Sequence, residues 1–209
     1  MPLKVLVIKS SARIVGSYNS LLVDEFLALL QQNGGPHKII GRDFAKDPIP
    51  VLQPDVVEAI RLPPDQLDDE LRSSAALSEI LIEELKSANL VVIGAPMYNW
   101  GVPASLKAWI DQVLRIGFSF GYEAGGIHSL IENKPVIIIS VSGGVYDAPE
   151  KSTLDFQKPY LDKVLRVIGL EPEFVLCEGT LYGEKALNAA LESSRAELAK
   201  IANRYNSLR

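Results

Sequence analysis

Leu3-Lys4-Val5-Leu6-Val7-Ile8 runs into Lys9-Ser10-Ser11-Ala12-Arg13-Ile14-Val15-Gly16-Ser17-Tyr18-Asn19-Ser20, and the junction of these two stretches decides the fold. The first is apolar almost throughout, the pattern of a strand buried on both faces. Beyond the hydroxyl-rich loop the apolar positions move to helical spacing, with Leu22, Phe26, Leu29 and Leu30 on one face. A strand, a loop rich in serine and a helix N-terminus together suit a phosphate, because hydroxyls and the first N–H groups of the helix converge on an anion. Glycine placement narrows the choice. The dinucleotide fingerprint needs G-x-G-x-x-G and the triphosphate loop needs G-x-x-x-x-G-K-[ST], whereas this loop holds one glycine, Gly16, and no lysine after Ser10. What remains is a loop offering hydroxyls and backbone N–H groups to a single phosphate such as that of FMN. The same residues also suit an ordinary βα turn capped by Ser17 or Asn19.

Outward from this segment, Val- and Ile-rich runs recur at 89–95, 134–141 and 173–178, with a weaker one at 37–41. Helical patterns at 19–32, 73–88, 103–116, 154–168 and 184–206 separate most of them. Five strands alternating with five helices predict an α/β fold: a flavodoxin-like, doubly wound five-stranded parallel sheet of order 2-1-3-4-5. The 209 residues are expected to form one domain, 1–209. Residues 43–72 interrupt the regularity with Asp47-Pro48-Ile49-Pro50, Pro54 and Pro63-Pro64 around a short helical stretch from Asp55 to Ile60. An insertion of this length commonly covers a site or meets a partner chain.

Hydrophobic residues make up 47% of the chain and charged ones 22%, which argues against disorder. A formal net charge of -5 and the lack of a Lys/Arg cluster argue against nucleic acid as a partner. The apolar N-terminal run is too short for a signal peptide, and no stretch approaches a membrane span, so a cytoplasmic location and no membrane partner are expected. The single cysteine, Cys177, lies in Glu173-Phe174-Val175-Leu176-Cys177 and reads as a small buried hydrophobe. His37 and His128 lack catalytic context, and no metal-ligand spacing is present.

In open α/β sheets the ligand sits at the carboxyl ends of the strands, so three loops are expected to converge: 10–19, 96–102 and 142–148. The second, Pro96-Met97-Tyr98-Asn99-Trp100-Gly101-Val102, carries two aromatics and an amide. In the third, Ser142-Gly143-Gly144-Val145-Tyr146, paired glycines let the backbone approach a flat ring. One loop for a phosphate and two for an aromatic ring system describe an FMN site, although Tyr98 and Trp100 could also be core residues and the glycines a plain turn.

These residues resemble the FMN-dependent NADH-azoreductases, relatives of the flavodoxin-like NAD(P)H:quinone oxidoreductases. The likeness covers nearly the whole chain: Lys4-Val5-Leu6-Val7 with Lys9-Ser10-Ser11, Asp47-Pro48-Ile49-Pro50-Val51-Leu52, Ala95-Pro96-Met97-Tyr98-Asn99-Trp100, the Gly143-Gly144 pair, and Glu178-Gly179 with Tyr182-Gly183. The resemblance implies a homodimer with one FMN per subunit and sites at the subunit interface, reducing quinones and azo compounds with NADH or NADPH. It places Ser11, Ser17, Tyr18 and Asn19 at the phosphate and ribityl end, with Met97, Tyr98, Asn99, Trp100, Val141, Ser142, Gly143 and Gly144 framing the ring. Phe120, Tyr146 and Val167 would line the substrate side. The chain departs from the pattern where Val141-Ser142 and Tyr146 replace the usual Ser-Arg and His, and where Val167 replaces a Phe found in some members.

On this reading the flavin carries the hydride step and no side chain acts as nucleophile. The alternative is a flavodoxin-type electron-transfer protein, a class that tends to be more strongly acidic. A phosphoacceptor domain would need an Asp where Pro96-Met97 stands, and a serine hydrolase would need a G-x-S-x-G elbow that the chain lacks.

Overall fold

The computed structural model describes residues 3–34, 36–146 and 152–207. In chain order the elements are β1 (Lys4–Lys9), α1 (Tyr18–Gly34), β2 (Lys38–Asp43), α2 (Pro54–Arg61), α3 (Asp69–Ser74), α4 (Ala76–Ser87), β3 (Leu90–Pro96), α5 (Ala104–Val113), β4 (Phe120–Glu123), β5 (Gly126–Ser129), β6 (Lys134–Val141), α6 (Lys158–Val167), β7 (Leu170–Cys177) and α7 (Glu184–Ser207). Five strands form a parallel sheet of order β2-β1-β3-β6-β7. The antiparallel pair β4 and β5 stands apart from it, so the sheet's own strands, counted along the chain, lie second-first-third-fourth-fifth.

The two-residue period of a strand divides the core. Leu6, Ile8, Val91, Ile93, Val136 and Ile138 point to one face, where Leu81, Leu85, Trp109 and Leu161 of α4, α5 and α6 cover them. Val5, Val7, Val92, Ile137 and Ile139 point to the other, under Leu22, Phe26 and Leu30 of α1 and Leu198 and Ile201 of α7. Helices on both faces explain why β1, β3 and β6 read as unbroken apolar runs, whereas β2 at the edge is half exposed and reads weakly. Close packing of α1 on β3 requires Gly94: a Cβ there would overlap Asn19 Oδ1 and stand 2.9 Å from Val23 Cγ2.

Several elements differ from the sequence pattern. The helix expected over 73–88 breaks at Ala75 (φ -89°, ψ 2°) into α3 and α4. Pro103 caps α5 instead of entering it, and α6 starts only at Lys158, after a short turn at Ser152–Leu154. β7 starts at Leu170 and runs through Pro172, which an edge strand tolerates. The insertion 43–72 sends Phe44 and Ile49 into the main core and, with Ala75 and Phe118 from outside it, forms a small satellite core in which Ala59, Leu67 and Ala75 pack against Leu62, Leu71 and Phe118. Among the described residues no helix is long and apolar enough to cross a membrane.

Candidate active site

The three loops at the carboxyl edge of the sheet are bonded to one another. The Tyr98 hydroxyl lies 3.4 Å from Ser11 Oγ and accepts from the Ala12 N–H at 3.2 Å, joining the first loop to the second. The Met97 N–H donates to the Val141 carbonyl at 2.9 Å, joining the second to the third. Ser105 of α5 donates to the Ser10 carbonyl at 3.3 Å from behind. The convergence expected from topology is therefore fixed by specific hydrogen bonds.

In the first loop Ser17 caps α1: its Oγ accepts from the Ser20 N–H at 3.2 Å and donates to Ser11 Oγ at 2.9 Å. The capping reading of Ser17 and the phosphate reading of the loop are compatible, since a capped helix still presents its first N–H groups outward. Among the described residues the N–H groups of Gly16, Ser17, Tyr18 and Asn19 find no backbone acceptor. Tyr18 is exposed. Asn19 is turned under the loop, 2% exposed, with Nδ2 donating to the Ile139 carbonyl at 2.7 Å. Its side chain ties α1 to the sheet, so only its N–H faces the loop.

The second loop is a two-residue turn closed by reciprocal Tyr98–Gly101 bonds of 3.1 and 3.0 Å. Both central residues have positive φ, Asn99 at 49° and Trp100 at 64°, as the tight primed turns demand. Asn accepts this conformation readily and Trp does not, so Trp100 is held at a cost of order 1 kcal/mol or more. Trp100 is half exposed, beside an open hollow of about 600 Å³ lined by Tyr98, Asn99, Val102, Phe156 and Tyr160.

In the third loop the carbonyls of Ser142, Gly143 and Gly144 accept from the N–H groups of Thr180, Leu181 and Gly179, at 3.2, 3.2 and 2.8 Å. The N–H groups of Gly143 and Gly144 then lack a backbone acceptor among the described residues. Ser142 donates to the Gly144 carbonyl at 2.8 Å. The Tyr146 ring folds against Gly144, and its N–H donates to Glu178 Oε1 at 3.0 Å. Residues 147 and 148 of the expected loop lie outside the described residues. Sequence reasoning missed the 179–181 brace, whose only signal was the Glu178-Gly179 pair.

Phe120 and Val167 are not brought to these loops. Each crossover helix runs antiparallel to the strands, so the ends of α5 and α6 lie at the amino edge of the sheet. Phe120 pairs with Ser129 in the hairpin, and Ser129 packs on Gly169, two residues beyond Val167, whose carbonyl accepts from the Lys134 N–H at the start of β6. The turn before Phe120 hangs on Arg115, fully buried with its guanidinium 3.7 Å over the Phe118 ring; burial pulls its pKa below the ordinary arginine value.

The residues present fit a flavin mononucleotide. The first loop offers hydroxyls and helix N–H groups with no carboxylate, and the nearest acid in sequence, Asp24, is paired with Lys9 at 2.6 Å. The second offers aromatic edges, and the third the Gly143 and Gly144 N–H groups, with Leu181 and the Tyr146 ring packed where side chains on these glycines would stand. Among the described residues no group of three or more His, Cys, Asp or Glu side chains is placed to hold a metal.

Fold and loops define a class, the doubly wound α/β proteins whose loops gather at the carboxyl edge of the sheet. The chain matches the family described as a flavodoxin-like fold over residues 3–202. It is 37% identical over 200 residues to the FMN-dependent NADH:quinone oxidoreductase of Azotobacter vinelandii, covering 95% of this chain and 99% of the relative. It is 38% identical over 202 residues to that of Vibrio parahaemolyticus, with 95% and 99% covered. Among solved structures, azoreductase AzrA superposes with a TM-score of 0.88 at 23% identity, covering 96% of this chain and 99% of the other. An FMN-dependent NADH-azoreductase from Bacillus anthracis in complex with FMN gives 0.85 at 21%, covering 97% and 99%. This chain belongs to the flavodoxin-like family, in its group of FMN-dependent NADH:quinone oxidoreductases.

Proposed function

We propose that this chain is an FMN-dependent oxidoreductase that takes hydride from NADH or NADPH and passes two electrons to quinones and, in repeated cycles, to azo compounds. The observation that carries this reading is the mutual bonding of three loops at the carboxyl edge of the sheet, which brings the hydroxyls and helix N–H groups of the first beside Tyr98 and Trp100 of the second and the glycine amides of the third. The names of the relatives at 37% and 38% identity support it, and they favour an enzyme over an electron-transfer flavodoxin.

Bound FMN would supply the hydride-transfer chemistry. The protein's part is binding and placement. Ser11, Ser17 and the first N–H groups of α1 would hold the phosphate. Met97, Tyr98, Asn99, Trp100, Val141, Ser142, Gly143 and Gly144 would frame the ring, and the Gly143 and Gly144 amides would donate to its polar edge. Tyr146 lines the exposed side and orients whatever stacks there.

The reading includes a homodimer of single-domain subunits in the cytoplasm, where nicotinamide donors are available. The separation of Phe120 and Val167 from the loops supports it: these residues reach a cleft only if it belongs to a second copy. Exposed Val51, Tyr122 and Ile127 provide apolar surface for such an interface.

Titration of the purified protein with FMN, followed by NADH oxidation with a simple quinone, tests the function. The expected result is a yellow protein with one flavin per chain and parallel initial-rate lines, because donor and acceptor take turns on one face. A protein that binds no FMN ends the proposal, and intersecting lines end the shared-face mechanism.

A further inference from the structure

The strained turn at Asn99-Trp100 needs something to hold it, and the structure shows what does. Gln157 lies just ahead of α6, 1% exposed, and both polar atoms of its side chain are engaged. Its Nε2 donates to the Pro96 carbonyl at 3.0 Å and the Gly101 carbonyl at 3.3 Å, one on either side of the turn. Its Oε1 accepts from Ser140 Oγ on β6 at 2.7 Å. The neighbouring Phe156 N–H donates to the Trp100 carbonyl at 3.0 Å, and Asp155 Oδ1 accepts the Gln157 N–H at 2.8 Å. Residues 155–157 thus clasp the second loop, and Ser140 links the clasp to the strand that ends in Val141 and the third loop.

A residue held in a sparsely populated backbone conformation persists only where its surroundings over-determine it. An amide suits this position: it alone among side chains of this size offers two donors and an acceptor in one plane. We propose that Gln157 is a positioning residue that presets the Tyr98–Gly101 turn, and with it Trp100, in the geometry that receives the isoalloxazine ring; the ring's place there rests on the function proposed above. Gln157 touches no ligand itself. It spares the protein the ordering of the turn on binding, so its loss is paid as affinity.

The test uses full-length protein containing 5-fluorotryptophan. The two tryptophans, Trp100 and the buried Trp109, give two fluorine resonances, assigned with Trp100→Phe. In the cofactor-free protein, Gln157→Met is expected to broaden or double the Trp100 resonance and leave that of Trp109 unchanged. FMN affinity, read by quenching of FMN fluorescence, should fall roughly tenfold or more. Ser140→Ala, which frees only the Gln157 acceptor, should act in the same direction more weakly and decides the matter if Gln157→Met fails to fold. A Trp100 resonance as sharp as the parent's, broadening of both resonances together, or unchanged FMN affinity would each overturn the proposal. If the parent binds no FMN while the variant still releases Trp100, the clasp stands and the flavin reading of the cleft falls.

Discussion

Ser17 does two things that substitutions can separate. Its oxygen caps α1, and in the proposed function its loop offers the helix N-terminus to a phosphate. Ser17→Ala is expected to lower stability by about 0.5–2 kcal/mol and to weaken FMN binding about tenfold. Ser17→Asp keeps a good cap but sets a carboxylate against the phosphate, so it should melt like the parent and purify without colour. Thermal melts with FMN titration read both; a yellow Ser17→Asp protein of unchanged affinity would place the phosphate elsewhere. At Gly94 a methyl group would collide with Asn19 and Val23, and Gly94→Ala should cost about 1–3 kcal/mol in a denaturant melt. Asn19 marks where sequence reasoning stopped. Hydroxyls and amides in a βα loop announce a polar site, but the inward turn of Asn19 depends on the Ile139 carbonyl, 120 residues away in sequence.

At the level of elements, Lys134 at the start of β6 closes the far end of α4. Its buried ammonium donates to the Leu85, Lys86 and Ala88 carbonyls at 2.9, 2.8 and 2.8 Å, groups that a helix C-terminus leaves without partners. Lys134→Met should destabilise by about 2–3 kcal/mol, yet leave FMN affinity unchanged because the loops lie at the opposite edge of the sheet. A matched loss of affinity would show that the two edges are coupled. The interior strands were legible because burial on both faces writes an apolar run into the sequence. The hairpin of β4 and β5 was not: four-residue strands hold too few alternations, and Phe120 read instead as a site wall. The break at Ala75 carries neither glycine nor proline, and Gln157 is one amide with no periodicity around it, so both appear only when distant segments meet.

For the whole molecule, the proposed homodimer, with Phe120 and Val167 reaching the cleft of a second copy, predicts that association is part of activity. Light scattering at assay concentrations should show dimers, and dilution into monomers should abolish turnover before it unfolds the chain. Stability should also fall in alkali. Burial pushes the Tyr205 phenol up to about 12, and raises Tyr160 and the Cys177 thiol as well. Between the unfolded and folded values the unfolded chain has given up protons that the folded chain keeps, so unfolding is favoured as pH rises through that window. Tyr205→Phe should flatten the decline, measured by denaturant melts from neutral pH upward. Cys177 adds a consequence of another kind. The chain's one thiol is fully buried at the end of β7, between the sheet and the α1–α7 layer. An alkylating reagent can reach it only when that layer lifts, so its labelling rate in native buffer is a clock for rare openings, readable by mass spectrometry as a single mass increment.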